Sequence, residues 1–212
     1  MQTIAIVDYG RGNLHSVHSG LEKAVELSGV DAKVVLTSDP EVIAAADKVV
    51  FPGVGAMGDC YQQLLNSNLD TAVREAFKSK PFLGVCVGMQ VLFETGEENG
   101  GSDGLGFVKG KVVKFAAEQG LKVPHMGWNE VFHNDHPLFE GIPQAARFYF
   151  VHSYKVQPAD LAVQQAHCEY GGQFTAAVGA DNWFATQFHP EKSHQWGLKL
   201  LSNFVKWNPA KS

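Results

Sequence analysis

Residues 81–90 read PFLGVCVGMQ. The first six, PFLGVC, are an apolar run of strand formers, and the segment that follows, GMQVLFETGEE, carries a helical pattern. The junction falls at Cys86, with Gly84 and Gly88 two residues to either side. Small residues there leave the backbone room to turn sharply. A strand that turns abruptly into a helix is the unit of a parallel sheet covered by helices. In the G-x-S-x-G elbow the same turn lifts a nucleophile clear of the sheet. Ligands of open parallel sheets bind beyond the carboxyl ends of strands, which is where Cys86 lies. Two readings of the thiol are open at this point. Unpaired cysteine is among the most buried residue types, so Cys86 serves equally well as a small hydrophobe. As a nucleophile it has the unpaired N–H groups and dipole of a helix start to stabilise a thiolate, and the Val87 N–H to meet an oxyanion.

The pattern repeats upstream. Residues 3–9 (TIAIVDY), 32–38 (AKVVLTS) and 47–53 (DKVVFPG) are expected strands. Between them, residues 13–29 form an amphipathic helix ending at Gly29, SDP at 38–40 starts a short helix, and 58–79 is helical in two pieces. Near-continuous apolar strands separated by helices imply a parallel sheet covered on both faces. From Gly106 onward the pattern changes. FVKGKVVKF, RFYFVHSYKV, LAVQQAHCEY and WFATQFH are expected strands joined by turns, and residues 194–208 a closing helix. The fold class is therefore α/β, a mostly parallel sheet flanked by helices with an antiparallel extension in the second half. All 212 residues are assigned to one domain, since no linker or repeat divides them.

Composition narrows the function classes. Hydrophobic residues make up 45% and charged residues 18%, ordinary for a globular chain. A net charge of −5 lacks the basic footprint of nucleic-acid binding. Cys60, Cys86 and Cys168 are too few and too odd in number for a disulfide framework, which fits a reducing compartment. The first apolar run meets Asp8 too early for a signal-peptide core, and no run is long enough to span a membrane. A cytoplasmic location follows as the expectation.

A cysteine nucleophile needs a base. Of nine histidines, His15 and His18 share a helix face, while His133 and His136 flank a turn. No Cys/His cluster has metal-ligand spacing, so neither a metal nor a cofactor is expected. His189 stands apart, in FATQFHPEKS (184–193). Pro190 pushes it towards an extended conformation, in which His189 and Glu191 share one face. Glu191 then accepts the Nδ1–H and leaves Nε2 for a thiol. A strand-end turn with a solvated glutamate is the other reading. A third element, VVFPGVGAMGD (49–59), contains G-x-G-x-x-G at Gly53, Gly55 and Gly58. A dinucleotide loop would follow the first strand and precede a strand ending in an acid, and this loop does neither. Presentation of backbone N–H groups beside Cys86 is the preferred use. DYGRGN (8–13) has a similar double character, and a tight turn explains it.

GVCVGMQ, PGVG and FHPEKS, in this order, resemble the class I glutamine amidotransferases, whose fold is flavodoxin-like. The resemblance covers essentially the whole chain. DYGRGN, FPGVGAM, VPHMGWNEV and FYFVHSY narrow it to the branch that pairs with a cyclase forming imidazole glycerol phosphate and AICAR in histidine biosynthesis. It implies a cysteine thioester route from glutamine to glutamate and ammonia, with Cys86 as nucleophile, His189 as proton shuttle and Glu191 as its orienter. It also implies an oxyanion hole at Gly53, Val54, Gly55 and Val87, and glutamine contacts from Gln90 and the backbone of Ser153 and Tyr154. Gln90 follows Cys86 by one helical turn, which agrees. A (β/α)8-barrel cyclase partner in a heterodimer is implied too, with Asn13, Met126, Trp128, Asn129, Tyr149 and Lys192 at the docking face. Read without the family, HMGW is an aromatic stretch suited to core packing. The glutaminases of anthranilate synthase and of pyridoxal phosphate synthase are the alternatives within the family; a cysteine peptidase, a nucleotide-binding module using residues 53–58 and an adaptor with an idle triad are those outside it.

Overall fold

The β-branched runs of the first half form strands, each followed by a helix. In chain order these are β1 (Gln2–Val7), α1 (Leu14–Ser28), β2 (Ala32–Thr37), α2 (Pro40–Ala45), β3 (Lys48–Gly53), α3 (Met57–Asn66), α4 (Asp70–Ser79) and β4 (Phe82–Cys86). The computed structural model describes residues 1–116 and 120–209. Local chemistry sets the boundaries. Gly29 closes α1 in the left-handed region, φ 69°, and donates its N–H to Glu26 O. Asp39 caps α2 by accepting the Glu41 N–H, and Pro40 occupies the first turn, where its missing N–H costs nothing.

Past Cys86 the structure departs from the sequence pattern. The expected helix lasts four residues, α5 (Val87–Gln90), and the chain re-extends as β5 (Phe93–Gly96). Tertiary pairing overrides the helical pattern here. The carbonyls of Val91, Leu92 and Phe93 accept N–H groups of residues 105–108, so the next helical turn has no acceptors left. One turn has little macrodipole, and a thiolate at Cys86 relies on individual N–H groups instead.

The second half supplies β6 (Ser102–Asp103), β7 (Val108–Lys114), β8 (His125–His133), β9 (Ala146–His152), β10 (Tyr154–Pro158), β11 (Gln164–Glu169), β12 (Gln173–Ala180), β13 (Trp183–Thr186) and α6 (His194–Lys206). A nine-stranded sheet runs β2-β1-β3-β4-β13-β12-β11-β8-β9, parallel through β13 and antiparallel beyond it. A second sheet, β10-β7-β5-β6, has four strands. Two expected strands need correction. RFYFVHSYKV is split at Ser153, because β9 pairs with β8 in the large sheet and β10 with β7 in the small one. LAVQQAHCEY begins as a single 3-10 turn at Leu161–Val163, with Asp160 accepting the Ala162 N–H. β8 and β12 are strands that the apolar pattern does not announce. Buried side chains from both halves form one hydrophobic cluster around the parallel strands. Among the described residues no helix is long and apolar enough to cross a membrane.

Candidate active site

The strand-to-turn junction is strained where the sequence places the thiol. Cys86 has φ 56° and ψ −114°, outside the regions that side-chain-bearing residues prefer. Such a residue costs about 1–3 kcal/mol and persists only where the surroundings impose it. Here the surroundings are β3, which pairs with β4 through Gly53 opposite Cys86. A Cβ on Gly88 would lie 2.0 Å from Phe51 O, and one on Gly53 would lie 2.7 Å from Gly88 N. The two glycines let β3 press against the elbow and hold Cys86 in its strained form. Gly88→Ala cannot be accommodated by a side-chain shift, because the clash is with backbone. We expect it to cost about 3 kcal/mol, the upper end of overpacking penalties, read as a lowered midpoint in urea denaturation. A midpoint equal to wild type would show that the elbow is not held this way.

His189 arrives on the neighbouring strand, past the end of β13, which pairs in parallel with β4. Its φ and ψ of −95° and 98° are extended, as the following proline requires. Ser193 fixes its backbone: the Ser193 hydroxyl donates to His189 O at 2.6 Å and accepts from Tyr149 N at 2.9 Å. The His189 N–H donates to Tyr149 O at 2.9 Å. Glu191 lies in a 3-10 turn (Pro190–Lys192) rather than on continuing strand, yet its Oε1 reaches His189 Nδ1 at 2.7 Å. Both side chains are almost fully buried. A carboxylate accepts only, so Nδ1 carries the proton. His189 Nε2 has no hydrogen-bond partner. Burial works against the imidazolium, but the neighbouring Cys86 side chain and Glu191 outweigh it and raise the His189 pKa to about 10. The arrangement is an imidazolium with a free Nε2 proton beside a sulfur.

These groups open onto a cavity of about 420 Å³, lined in part by Val54, Gly55, Val87, Gln90, Ser153 and Tyr154. The volume suits a small polar metabolite. Gly53, expected with this group, sits beneath the elbow and is not among the lining residues. The loop after β3 is pinned from behind. Tyr9 donates its hydroxyl to Pro52 O at 2.7 Å, and the Cys60 thiol donates to Val54 O at 3.2 Å. Ser153 and Tyr154 reach the cavity because the chain breaks between β9 and β10. Gln90 donates to Tyr154 O at 3.4 Å and to Gln187 Oε1 at 3.1 Å. Two lining or contacting residues escape the sequence reading. Gln187 is fully buried and points its amide N–H at Cys86 Sγ, 3.8 Å away. It lies two residues before His189, at a bend that follows β13, so alternation along a strand does not single it out. Glu98, the one acid lining the cavity among the described residues, accepts the Met57 N–H at 3.2 Å, and burial raises its pKa. Nothing in its local sequence marks it.

The residues expected at a docking face are partly gathered. Met126 is 65% and Trp128 42% exposed. Trp128 stacks on the His194 ring at 4.9 Å and lies edge-on to Tyr149, and Lys192 Nζ sits 5.9 Å from the Tyr149 ring. Asn129 instead turns inward, donating to Glu169 O and His125 Nε2. Asn13 precedes α1 without a side-chain capping bond.

The family model described as glutamine amidotransferase class-I matches residues 5–207. A protein of Acinetobacter baylyi named imidazole glycerol phosphate synthase subunit HisH is 54% identical over 210 residues, covering 98% of this chain and all of that one. One of the same name from Dechloromonas aromatica is 55% identical over 215 residues, covering 98% of each. Among solved structures, one titled as a glutamine amidotransferase superposes with a TM-score of 0.69 at 17% identity, covering 96% of this chain and 97% of that one.

Proposed function

The chain belongs to the class-I glutamine amidotransferases, and from that premise we propose the route by which its residues release ammonia. It works as the glutaminase of imidazole glycerol phosphate synthase in histidine biosynthesis, hydrolysing glutamine for a cyclase partner subunit. The partner, a (β/α)8 barrel, takes the ammonia and makes imidazole glycerol phosphate and AICAR. The Cys86 thiolate attacks the side-chain carbonyl carbon of glutamine and forms a C–S bond. The carbonyl oxygen takes the negative charge and is met by the Val87 N–H and by N–H groups of Val54 and Gly55. The His189 Nε2 proton passes to the amide nitrogen, the C–N bond breaks, and ammonia leaves a thioester on Cys86. Neutral His189 then takes a proton from water, which attacks the thioester and frees glutamate and the thiolate. Glu191 keeps the Nδ1 proton in place throughout.

The observation that carries this reading is the buried His189–Glu191 contact at 2.7 Å with Nε2 left unpartnered beside Cys86. Substrate selection fits the lining. Glu98 is placed to pair with the α-ammonium of glutamine, and Gln90, its N–H groups already given to Tyr154 O and Gln187 Oε1, offers its amide oxygen to the same amino-acid end. The exposed Met126 and Trp128, with Tyr149, Lys192 and Asn13, supply the cyclase-docking face, whereas Asn129 serves the interior behind it. Three free, buried cysteines suit a cytoplasmic location.

Glutamate release measured with and without a cyclase and its nucleotide substrate tests the assignment. We expect a strong rise only when both are present, by a shift in the population of competent sites. Activation by the synthase subunit of anthranilate or pyridoxal phosphate synthesis instead would move the chain to another branch of the family.

A further inference from the structure

β8 and β9 lie antiparallel with His125 directly opposite His152. Both are buried, and their rings meet: His125 Nδ1 to His152 Nε2 is 2.9 Å. The chemistry of the neighbours fixes every proton. Tyr154 O, 2.8 Å from His152 Nδ1, can only accept, so Nδ1 carries the hydrogen. His152 Nε2 is then the acceptor, and His125 Nδ1 must donate to it. His125 Nε2 is left to accept, and the Asn129 amide N–H supplies it at 3.2 Å. The second Asn129 N–H goes to Glu169 O at 2.9 Å. One directed chain results, Asn129 to His125 to His152 to Tyr154 O. It is consistent only with both rings neutral, and burial drives their pKa values down to about 4 and about 3.

The chain ends on Tyr154 O, the acceptor that Gln90 also uses, at the break where the backbone enters the cavity. It begins on β8, whose outward positions are the exposed Met126 and Trp128. A buried His-His-amide relay is costly to desolvate, and apolar side chains would fill the space more cheaply. We propose that His125 and His152 are positioning residues for glutamine, holding the Ser153–Tyr154 backbone in its binding position and tying that position to β8. Neither ring reaches the reacting atoms in this role. The inference rests on the glutaminase reading above and concerns binding of the same substrate.

Steady-state glutamine kinetics of the full complex with cyclase test it. His125 does not line the cavity, so His125→Phe probes the relay without touching substrate. We expect KM for glutamine to rise about tenfold or more, equivalent to about 1.4 kcal/mol of lost grip, with kcat changed much less. The same split is expected for His152→Phe, with His152→Asn recovering much of it, since its amide N–H lies about where Nδ1–H was. Alkylation of Cys86 by iodoacetamide, which needs no glutamine grip, should proceed at the wild-type rate in His125→Phe, whose ring lies outside the cavity that His152 lines. Should the phenylalanine variants fail to fold, Asn129→Ala removes the first donor at a half-exposed position and should raise KM in the same direction. Unchanged KM in folded His125→Phe or Asn129→Ala, or a fall in kcat alone, overturns the proposal. Failure of the glutaminase reading looks different, because wild type itself would then release no glutamate.

Discussion

Cys86→Ala should lose glutamine hydrolysis by on the order of a millionfold, the loss that follows nucleophile removal in triad hydrolases. The sulfur sits on a residue with φ 56° and ψ −114°, held there by glycine contacts that leave no slack, and faces an imidazolium with an unpartnered Nε2. Without the sulfur no C–S bond forms, and water would have to attack the amide directly. Gln187 then loses the atom its amide addresses, but the removed group is small and the strand pairing stays. The variant should therefore fold, bind cyclase and support synthesis from added ammonium salt, because only ammonia supply is lost. Glutamate release by the cyclase-bound variant at anything near the wild-type rate would end the thioester mechanism. Loss of ammonium-supported synthesis as well would place the defect in folding or docking instead.

Much of this site is local in sequence, and the local parts were readable. The glycines around Cys86, the proline after His189 and the two-residue spacing to Glu191 each impose geometry on their immediate neighbours. Their being joined across the sheet is not local, since β4 and β13 become neighbours only through the topology. The helix expected after Cys86 shows the limit from the other side. Its residues favour a helix, and it ends after four because residues 105–108 claim its carbonyls. β8 is the most instructive omission. Its inward positions are His125, Gly127 and Asn129, and its outward ones Met126 and Trp128, so the usual alternation is inverted. A strand that buries a polar relay and exposes its aromatics reads as a core stretch until the fold shows which side faces in. Glu98 and Gln187 act through contacts distant in sequence, and only the second lies near a residue already singled out.

His189→Ala is expected to cost about ten-thousandfold or more in glutamate release. His189 acts twice, giving its Nε2 proton to the leaving nitrogen and then accepting one from water, so both halves of the cycle suffer. Its partner is the buried Cys86 sulfur, which must carry charge to attack glutamine, and an uncompensated charge there is expensive. Removing the imidazolium leaves Glu191 buried, with Oε1 joining Oε2 as an unpartnered oxygen. That second cost falls on stability rather than on chemistry, and the two can be separated. Glu191→Gln keeps a group of the same shape at the Nδ1 side but exchanges a charged acceptor for an amide. It should lose less activity than His189→Ala, while ammonium-supported synthesis in the complex stays at the wild-type level for both. If the two variants lose equal activity, Glu191 does more than orient the ring. If His189→Ala keeps a tenth or more of the wild-type rate, another group moves the proton, and the buried pair that carries the functional assignment has a purely structural role.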